Sequence, residues 1–224
     1  YDRYLTRERA RLLRIQLNHE GAQGRFEVLA ALTRLRQLSL DPALVDERYE
    51  GVGSAKINLL CSHLEQIVPA GHQVLVFSQF VSFLERIDTA LKQRGISCLL
   101  LEGKTRKREE VIAKFRRGEE SVFLISLKAG GVGLTLTEAD YVYIMDPWWN
   151  PSVEAQAINR AHRIGQDRAV NVYRLVAQDT IEEKVCQLQA HKQRLIDTVV
   201  DDVGDGGTQG MDIDQLIELL GAGE

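Results

Sequence analysis

Two arginines and a glutamine recur at helical spacing within the segment VEAQAINRAHRIGQ, residues 153–166. Gln156, Arg160 and Arg163 stand at positions i, i+4 and i+7, which predicts that they share one face of a helix. Each guanidinium carries several fixed N–H donors and suits a triphosphate, or the charge that develops on a transferred phosphoryl group. An isolated R-x-x-R pair is more often a solvated surface feature, so the spacing alone leaves both interpretations open.

A second candidate phosphate contact is the tripeptide Gly103-Lys104-Thr105. It ends like the phosphate-binding loop G-x-x-x-x-G-K-[ST], but the position of the first glycine is occupied by Cys98. A nucleotide loop is therefore disfavoured. The tripeptide follows a predicted strand and precedes a predicted helix, which places Thr105 at an N-cap, where backbone N–H groups attract anions. A phosphate of a nucleic-acid backbone would suit this position as well as one of a nucleotide.

The composition is that of an ordinary globular protein, with 44% hydrophobic and 27% charged residues. No run of 18 apolar residues is present, which argues against a membrane span. The chain has no initiator methionine and no signal-like start, so we expect a fragment of a protein that is not exported. The net charge is −4, but only acidic charges follow Arg194, and residues 1–194 carry about +4. This mild balance does not decide whether the chain binds nucleic acid.

Cysteine and histidine spacing gives no sign of a metal site. The three cysteines (Cys61, Cys98 and Cys186) lie far apart without a C-x-x-C pair, which predicts reduced, buried thiols of an intracellular protein. The five histidines lack the spacing of metal ligands, so no structural zinc is expected.

The elements that must position the candidate residues are predicted from hydrophobic periodicity. Residues 2–19 and 25–38 have helical spacing, Pro42 interrupts it, and Ser54 is a predicted cap of a helix that runs to about residue 68. Short apolar runs then alternate with helical segments, at 73–79, 97–103, 121–127, 140–147 and 171–177. This alternation predicts a three-layer α/β fold whose parallel sheet has five or six strands and is covered on both faces.

Ligands of such sheets bind outside the carboxyl ends of the strands. The first four strands end in FSQF, LEGKT, SLKAGG and MDPWWNP, which are polar, glycine-rich or aromatic. We therefore predict one binding surface built from these four loops. Basic residues cluster beside it at 104–108 and 114–117. For residues 106–108, a solvated helix face and a DNA contact both remain open.

The combined motifs resemble the Swi/Snf-type ATPases of helicase superfamily two. The stretch QAINRAHRIGQ is similar to their sixth motif, VLVFSQF to the fourth, and LLLEGKT to the segment after it. LISLKAGGVGLTLTEADYVYIMDPWWNP resembles the fifth motif with its extension, and RLVAQDTIEEKV the segment after the sixth. LTRLRQLSLDPAL is similar to the leucine-arginine segment ahead of the second lobe, with the usual Cys-Asn-His-Pro altered to Ser-Leu-Asp-Pro. The match covers roughly residues 30–200, and its Asp-Pro-Trp-Trp-Asn-Pro wording favours a bacterial or archaeal member.

The resemblance implies the second RecA-like lobe of a two-lobed, DNA-dependent ATPase that translocates on duplex DNA. Neither G-x-x-x-x-G-K-[ST] nor D-E-x-H occurs here, so the first lobe of the same polypeptide would bind most of the ATP and Mg²⁺, and this chain alone would be inactive. The implied parts are a helical extension (1–50), the lobe (51–178), and a brace helix with an acidic tail (179–224). The protein would be nucleoid-associated in a prokaryote and nuclear in a eukaryote.

The resemblance also implies roles for single residues. Arg160 and Arg163 would be arginine fingers, and Gln156 would assist near the nucleotide. Gly131 and Gly133 would let the backbone approach ATP. The residues matched to DNA contacts are Lys104, Thr105, Ser126, Lys128 and Trp149.

Two structural details accompany these roles. Trp148, beside Trp149, is as well suited to packing as to DNA contact. Residues 180–198 are predicted to form one helix with Thr180 as N-cap and Glu183 three positions on, as in a capping box. The family's equivalent helix braces the two lobes, so we expect it to be partly loose or repacked here.

Two other classes of protein remain as alternatives. A non-catalytic DNA-binding module is disfavoured by the mild net charge. A lobe of an RNA helicase is disfavoured by the Trp-Trp-Asn-Pro and His-Arg-Ile-Gly-Gln wording.

Overall fold

The computed structural model describes residues 1–16, 22–127, 129, 135–161 and 168–199. The helices, α1 to α7 in chain order, are Asp2–Gln16, Ala22–Leu40, Ala55–Ile67, Val81–Gln93, Arg108–Arg116, Pro151–Ile158 and Ile181–Val199. The strands, β1 to β5, are Val74–Ser78, Cys98–Leu101, Val122–Ser126, Tyr141–Ile144 and Asn171–Arg174.

The five strands form one sheet in the order β2-β3-β1-β4-β5, and every pairing is parallel. Parallel neighbours need crossover connections, which the intervening helices provide. The predicted α/β fold is confirmed, with five strands.

Alternation along the strands sends side chains to two separate cores. In β1, Val74 and Val76 join a core with α3 and α4, whereas Leu75 and Phe77 join a core with α5 and α6. Both faces of the central strands are therefore covered by helices, as the apolar runs predicted.

Strand β5 is the exception to this burial. All four of its residues are exposed, among them Val172 and Tyr173. The strand lies at the edge of the sheet, where it pairs with β4. The prediction that the run at 171–177 is buried on both faces is wrong, because the helices of the described part of the chain leave all four residues of this edge strand exposed.

A third hydrophobic cluster joins the first and last helices. Its buried members are four residues of α2 and Ile181 of α7, and residues of α1 pack against it. The predicted helix over 180–198 is confirmed, and its first half is packed rather than loose, since Ile181 and Val185 are buried. Thr180 accepts a hydrogen bond from the N–H of Glu182 at 3.2 Å, and Glu183 accepts one from Asp179 at 3.0 Å. Both bonds are shifted by one residue from the predicted capping box.

Two local sequence signals act as predicted. Helix α2 ends just before Pro42, which opens a 3-10 turn capped by Asp41. Ser54 caps α3 by accepting a hydrogen bond from the N–H of Ile57 at 3.2 Å. Ser54 also donates to the carbonyl of Leu40, which ties the start of α3 to the end of α2.

The three cysteines are free, as predicted, but only Cys61 is fully buried, and Cys98 and Cys186 are half-buried. Among the helices in the described part of the chain, none combines the length and apolarity needed to cross a membrane.

Candidate functional site

The carboxyl ends of β1 to β4 meet at one edge of the sheet. The register sets Ser78 beside Ser126, and Phe77 beside both Ile125 and Ile144. The loops after β1, β2 and β4 therefore begin side by side, as predicted for a shared surface. Of the loop after β3, only its first residue, Leu127, and Ala129 are described before residue 135.

The structure places some of the predicted site residues and leaves others undescribed. Lys128, Gly131, Gly133 and Arg163 lie outside the described residues. Lys104 and Gln156 are exposed. Ser126 is only 1% exposed, so its side chain lies beneath the surface at the end of β3.

The prediction that Thr105 caps a helix is wrong. Helix α5 begins at Arg108, and its N-cap is Lys107, which makes no side-chain capping bond. The N–H of Thr105 donates to the carbonyl of Glu102 at 3.1 Å, and its hydroxyl accepts from the N–H of Glu102 at 3.0 Å. Threonine hydroxyls often compete with helix formation in this way, because they satisfy nearby backbone groups in a turn. The turn presents Lys104 to solvent, away from a helix N-terminus.

The basic cluster on α5 is partly structural. Arg108 donates to the carbonyl of Ala129, and Arg116 donates to the carbonyl of Thr135 at 2.7 Å. The two arginines therefore hold the glycine-rich loop on either side of residues 130–134. Arg106 and Lys107 are exposed, and Lys107 pairs with Glu110 at 3.1 Å. The interpretation as a solvated surface therefore fits these two residues, whereas Arg108 is bound to the loop after β3.

The prediction that Gln156, Arg160 and Arg163 share one helical face is wrong for Gln156 and Arg160, and Arg163 lies outside the described residues. Helix α6, capped by Asn150, ends at Ile158. The N–H groups of Arg160 and Ala161 bond to carbonyls three residues earlier, as in a tight turn. The carbonyl of Arg160 accepts from the N–H of Leu136 at 2.8 Å, so the chain leaves the helix to bind the loop after β3.

Arg160 is nevertheless buried, at 9% exposure. Its Nη1 atom has no hydrogen-bond partner within the described part of the chain. Burial lowers the pKa of the Arg160 guanidinium, and no carboxylate of the described residues opposes that shift. Burying a cation without a counter-charge is unfavourable, and such groups concentrate at functional sites.

A second buried arginine, Arg36 of α2, has partners for both terminal nitrogens at the carboxyl edge, whereas its Nε has no hydrogen-bond partner within the described residues. Its Nη1 donates to the side-chain carbonyl of Gln79 at 2.9 Å, its Nη2 donates to the carbonyl of Pro147 at 2.5 Å, and Nη2 lies 3.5 Å from the Asp146 carboxylate. Asp146 also accepts hydrogen bonds from the backbone and side chain of Gln79. Burial lowers the pKa of Arg36, and the charge of Asp146 opposes that shift.

Lys56 of α3 forms a similar buried network next to Arg36. Its Nζ contacts both carboxylate oxygens of Glu182 in α7, at 2.6 and 2.8 Å. The same ammonium donates to the carbonyls of Met145 at 2.6 Å and Leu175 at 2.7 Å. One cation thus joins α3, α7 and the ends of β4 and β5.

The two tryptophans after β4 are both held by other elements. The N–H of Trp148 donates to Glu154 of α6 at 2.7 Å, and the carbonyl of Trp148 accepts from Gln189 of α7. The Trp149 ring is half-buried, lies 4.9 Å from the guanidinium carbon of Arg36, and packs against the helical cluster of α1, α2 and α7. Residues 145–149 (the hub segment) are therefore anchored by side chains from four helices and from the loop after β1.

Sequence reasoning missed Arg36 and Lys56, although a signal was present. Arg36 is four positions after Leu32, and Lys56 is four positions before Leu60, and both leucines are buried. Each cation therefore sits on the buried face of its helix, where a charge requires a partner. Asp146, directly after an apolar strand, is the matching acidic signal.

Comparison with known proteins extends the resemblance. Residues 55–165 match the helicase conserved C-terminal domain family. The chain is 48% identical over 148 residues to DNA repair protein RAD5B of Arabidopsis thaliana, which covers 64% of this chain and 12% of that protein. It is 39% identical over 184 residues to an uncharacterized ATP-dependent helicase of Mycoplasma pneumoniae, and the match covers 80% of this chain and 18% of that protein. The chain thus spans less than a fifth of the length of these relatives. Because eukaryotic relatives appear beside bacterial ones, the predicted bacterial or archaeal origin is not supported.

Two solved structures share the fold. The C-terminal part of the Fun30 ATPase domain superimposes with a TM-score of 0.68 at 24% identity, covering 90% of this chain and 92% of that one. The Sulfolobus solfataricus SWI2/SNF2 ATPase core, solved in complex with dsDNA, superimposes with a TM-score of 0.70 at 29% identity, covering 89% and 42%. This chain is therefore homologous to the C-terminal lobe of the Swi2/Snf2-type helicase-like ATPases.

Proposed function

We propose that this chain is the second motor lobe of an ATPase that is stimulated by duplex DNA and moves along it. The observation that carries the proposal is Arg160, a buried guanidinium whose Nη1 lacks a partner in the described part of the chain and whose charge is not compensated. Such a group suits an anion that arrives from outside the lobe. In this family of relatives, whose members include ATP-dependent helicases, the natural anion is the γ-phosphate of ATP.

We assign the phosphate contacts to this lobe and the binding of Mg²⁺ to the first lobe. Arg160, with Arg163 from the neighbouring segment, would donate N–H groups to phosphate oxygens, and Gln156 would lie nearby. Gly131 and Gly133 would bring bare backbone towards the nucleotide. Within the described residues no group of three histidine, cysteine or carboxylate side chains could hold a metal. Mg²⁺, which neutralises phosphate charge during transfer, would be held mainly by the first lobe, as the family resemblance implies.

The DNA track would run along the carboxyl edge of the sheet. Lys104, exposed on the Thr105 turn, and Lys128 would contact backbone phosphates, Ser126 would support this surface from the end of β3, and Trp149 would lie against the DNA strand. A lysine that neutralises a phosphate strengthens binding without regard to sequence. Closure of the two lobes on ATP and opening after hydrolysis would shift this grip along one strand. The protein would act wherever its cell keeps chromosomal DNA.

The proposal is tested by ATP turnover of the full-length protein that contains this chain. Turnover is measured without nucleic acid, with duplex DNA and with duplex RNA of the same sequence and length. We expect stimulation by DNA alone. Stimulation by RNA would instead indicate an RNA helicase lobe. DNA binding without turnover in any condition would indicate a non-catalytic DNA-binding module.

A further inference from the structure

We propose that Arg36 is a positioning residue, which holds Trp149 and the hub segment in the orientation that the DNA track requires. The inference rests on the proposed function and adds to it a residue from outside the lobe's sheet. Arg36 belongs to α2, before the conserved helicase domain begins at residue 55.

The geometry around Arg36 joins two strand ends. Its guanidinium lies between two aromatic rings, 5.6 Å from the centroid of Phe80 and 4.9 Å from that of Trp149. Phe80 follows β1 and Trp149 follows β4, and these strands are neighbours. The hydrogen bonds to Gln79 and Pro147 link the same two loops. Arg36 thus links the two loops at the carboxyl edge, in addition to the direct hydrogen bonds between Gln79 and Asp146.

The contact set requires an arginine. A guanidinium is planar, so it can stack on rings while its edge donates to two carbonyls at once. A lysine would keep the charge beside Asp146 but would lose the stacking and the paired donors. Arg36 therefore does more than neutralise Asp146, and Arg36→Lys separates the two roles.

Trp149 is the part of the hub segment that this arrangement controls most directly. Its ring contacts Arg36 and packs against the buried cluster formed by α2 and Ile181 of α7, and it remains half-buried. If the Arg36 contact is lost, the ring gains rotational freedom, and the proposed surface for DNA is no longer preformed. Loss of preorganisation weakens binding even where no contacting group is removed.

The first measurement is the environment of Trp149 in the 224-residue chain. The chain has two tryptophans, so Trp148→Phe leaves Trp149 as the only one. In that background, Arg36→Lys should shift the tryptophan emission to the red and make the ring more accessible to acrylamide. The matched control is Arg34→Lys, which lies on the same helix but pairs with Glu8 of α1. Equal quenching in the two variants would overturn the proposal.

The second measurement is DNA-stimulated ATP turnover of the full-length protein as a function of duplex concentration. Because the DNA surface would no longer be preformed, Arg36→Lys should raise the half-saturating DNA concentration about tenfold, which corresponds to about 1.4 kcal/mol. The maximal rate should change much less. A purely structural role would instead lower the amount of active protein, which reduces the maximal rate and leaves half-saturation unchanged.

A double-variant cycle shows whether the effect passes through Trp149. Trp149→Leu should raise the half-saturating concentration on its own, and adding Arg36→Lys should then have little further effect. Additive effects would overturn the proposal.

If Arg36→Lys does not fold, Phe80→Leu removes the second ring without altering a charge and should shift half-saturation in the same direction. A wild-type enzyme without DNA stimulation would refute the proposed function itself, whereas stimulation with an unchanged half-saturation in Arg36→Lys refutes only the role of Arg36.

Discussion

Helix α2 and the turn after α6 each bury an arginine, and the two arginines have opposite surroundings. Arg36 has a carboxylate at 3.5 Å, two oxygen acceptors and two aromatic rings, and within the described residues only its Nε is without a hydrogen-bond partner. Arg160 has its backbone carbonyl engaged, but its Nη1 has no partner within the described residues, and no nearby carboxylate opposes the effect of burial on its pKa. A partnered buried cation supports the fold, whereas an uncompensated one is retained at an energetic cost and is better explained by a ligand.

The largest effect we predict concerns turnover. Arg160→Ala in the full-length protein should lower DNA-stimulated ATP hydrolysis by about 10³-fold or more, the range of arginine fingers in phosphoryl transfer. The resemblance predicts the same for Arg163→Ala. Arg117→Ala, which removes an exposed ion pair with Glu119, is the control and should retain full turnover. Near wild-type hydrolysis by Arg160→Ala would show that its burial has no catalytic purpose.

The second prediction compares the same two arginines by stability. Arg36→Met leaves Asp146 buried without its cation and should lower the free energy of unfolding by about 3–5 kcal/mol. Arg160→Met loses no charge pair and should change it by less than about 1 kcal/mol. Urea denaturation of the 224-residue chain measures both, with Arg48→Met, which removes an exposed pair, as a control. Equal losses in the free energy of unfolding for Arg36→Met and Arg160→Met would contradict the difference that we infer between the two arginines.

The third prediction uses Lys56, another partnered cation, and is the smallest. Burial raises the pKa of Glu182 above its ordinary 4.5, and Lys56 opposes that shift. Lys56→Met removes the opposition, so the pKa of Glu182 should rise further. The folded state then binds a proton that the unfolded state releases, and stability falls as pH rises from 4.5 through the raised pKa.

Urea midpoints between about pH 4 and pH 8 measure this dependence. Lys92→Met, which removes an exposed pair with Asp88, should show no comparable slope. A Lys56→Met variant whose stability is flat or increases over this range would contradict the network seen at Lys56.

Much of the fold could be predicted because its signals are local. Apolar runs of five residues indicate buried parallel strands, Ser54 caps α3, and Pro42 ends α2. The edge position of β5 could not be predicted, since the same β-branched and aromatic residues serve buried and edge strands alike.

The site was predictable only in part, because some of its contacts join distant parts of the chain and some of its local signals fit more than one structure. Motif spacing indicated Arg160, but not the end of α6 at Ile158, because that turn depends on a hydrogen bond to Leu136 from a distant loop. Thr105 was misplaced because a threonine hydroxyl serves a helix cap or a turn equally well. The partners of Arg36 lie 43 to 111 positions away along the chain, and no local pattern predicts such contacts.

The most direct test of the account is ATP hydrolysis by the purified 224-residue chain, measured beside the full-length protein with and without duplex DNA. The chain contains neither G-x-x-x-x-G-K-[ST] nor D-E-x-H, the two motifs with which, we propose, the first lobe holds the triphosphate and Mg²⁺. We expect no turnover by the chain in either condition and DNA-stimulated turnover by the full-length protein. DNA-stimulated hydrolysis by the chain alone would contradict it.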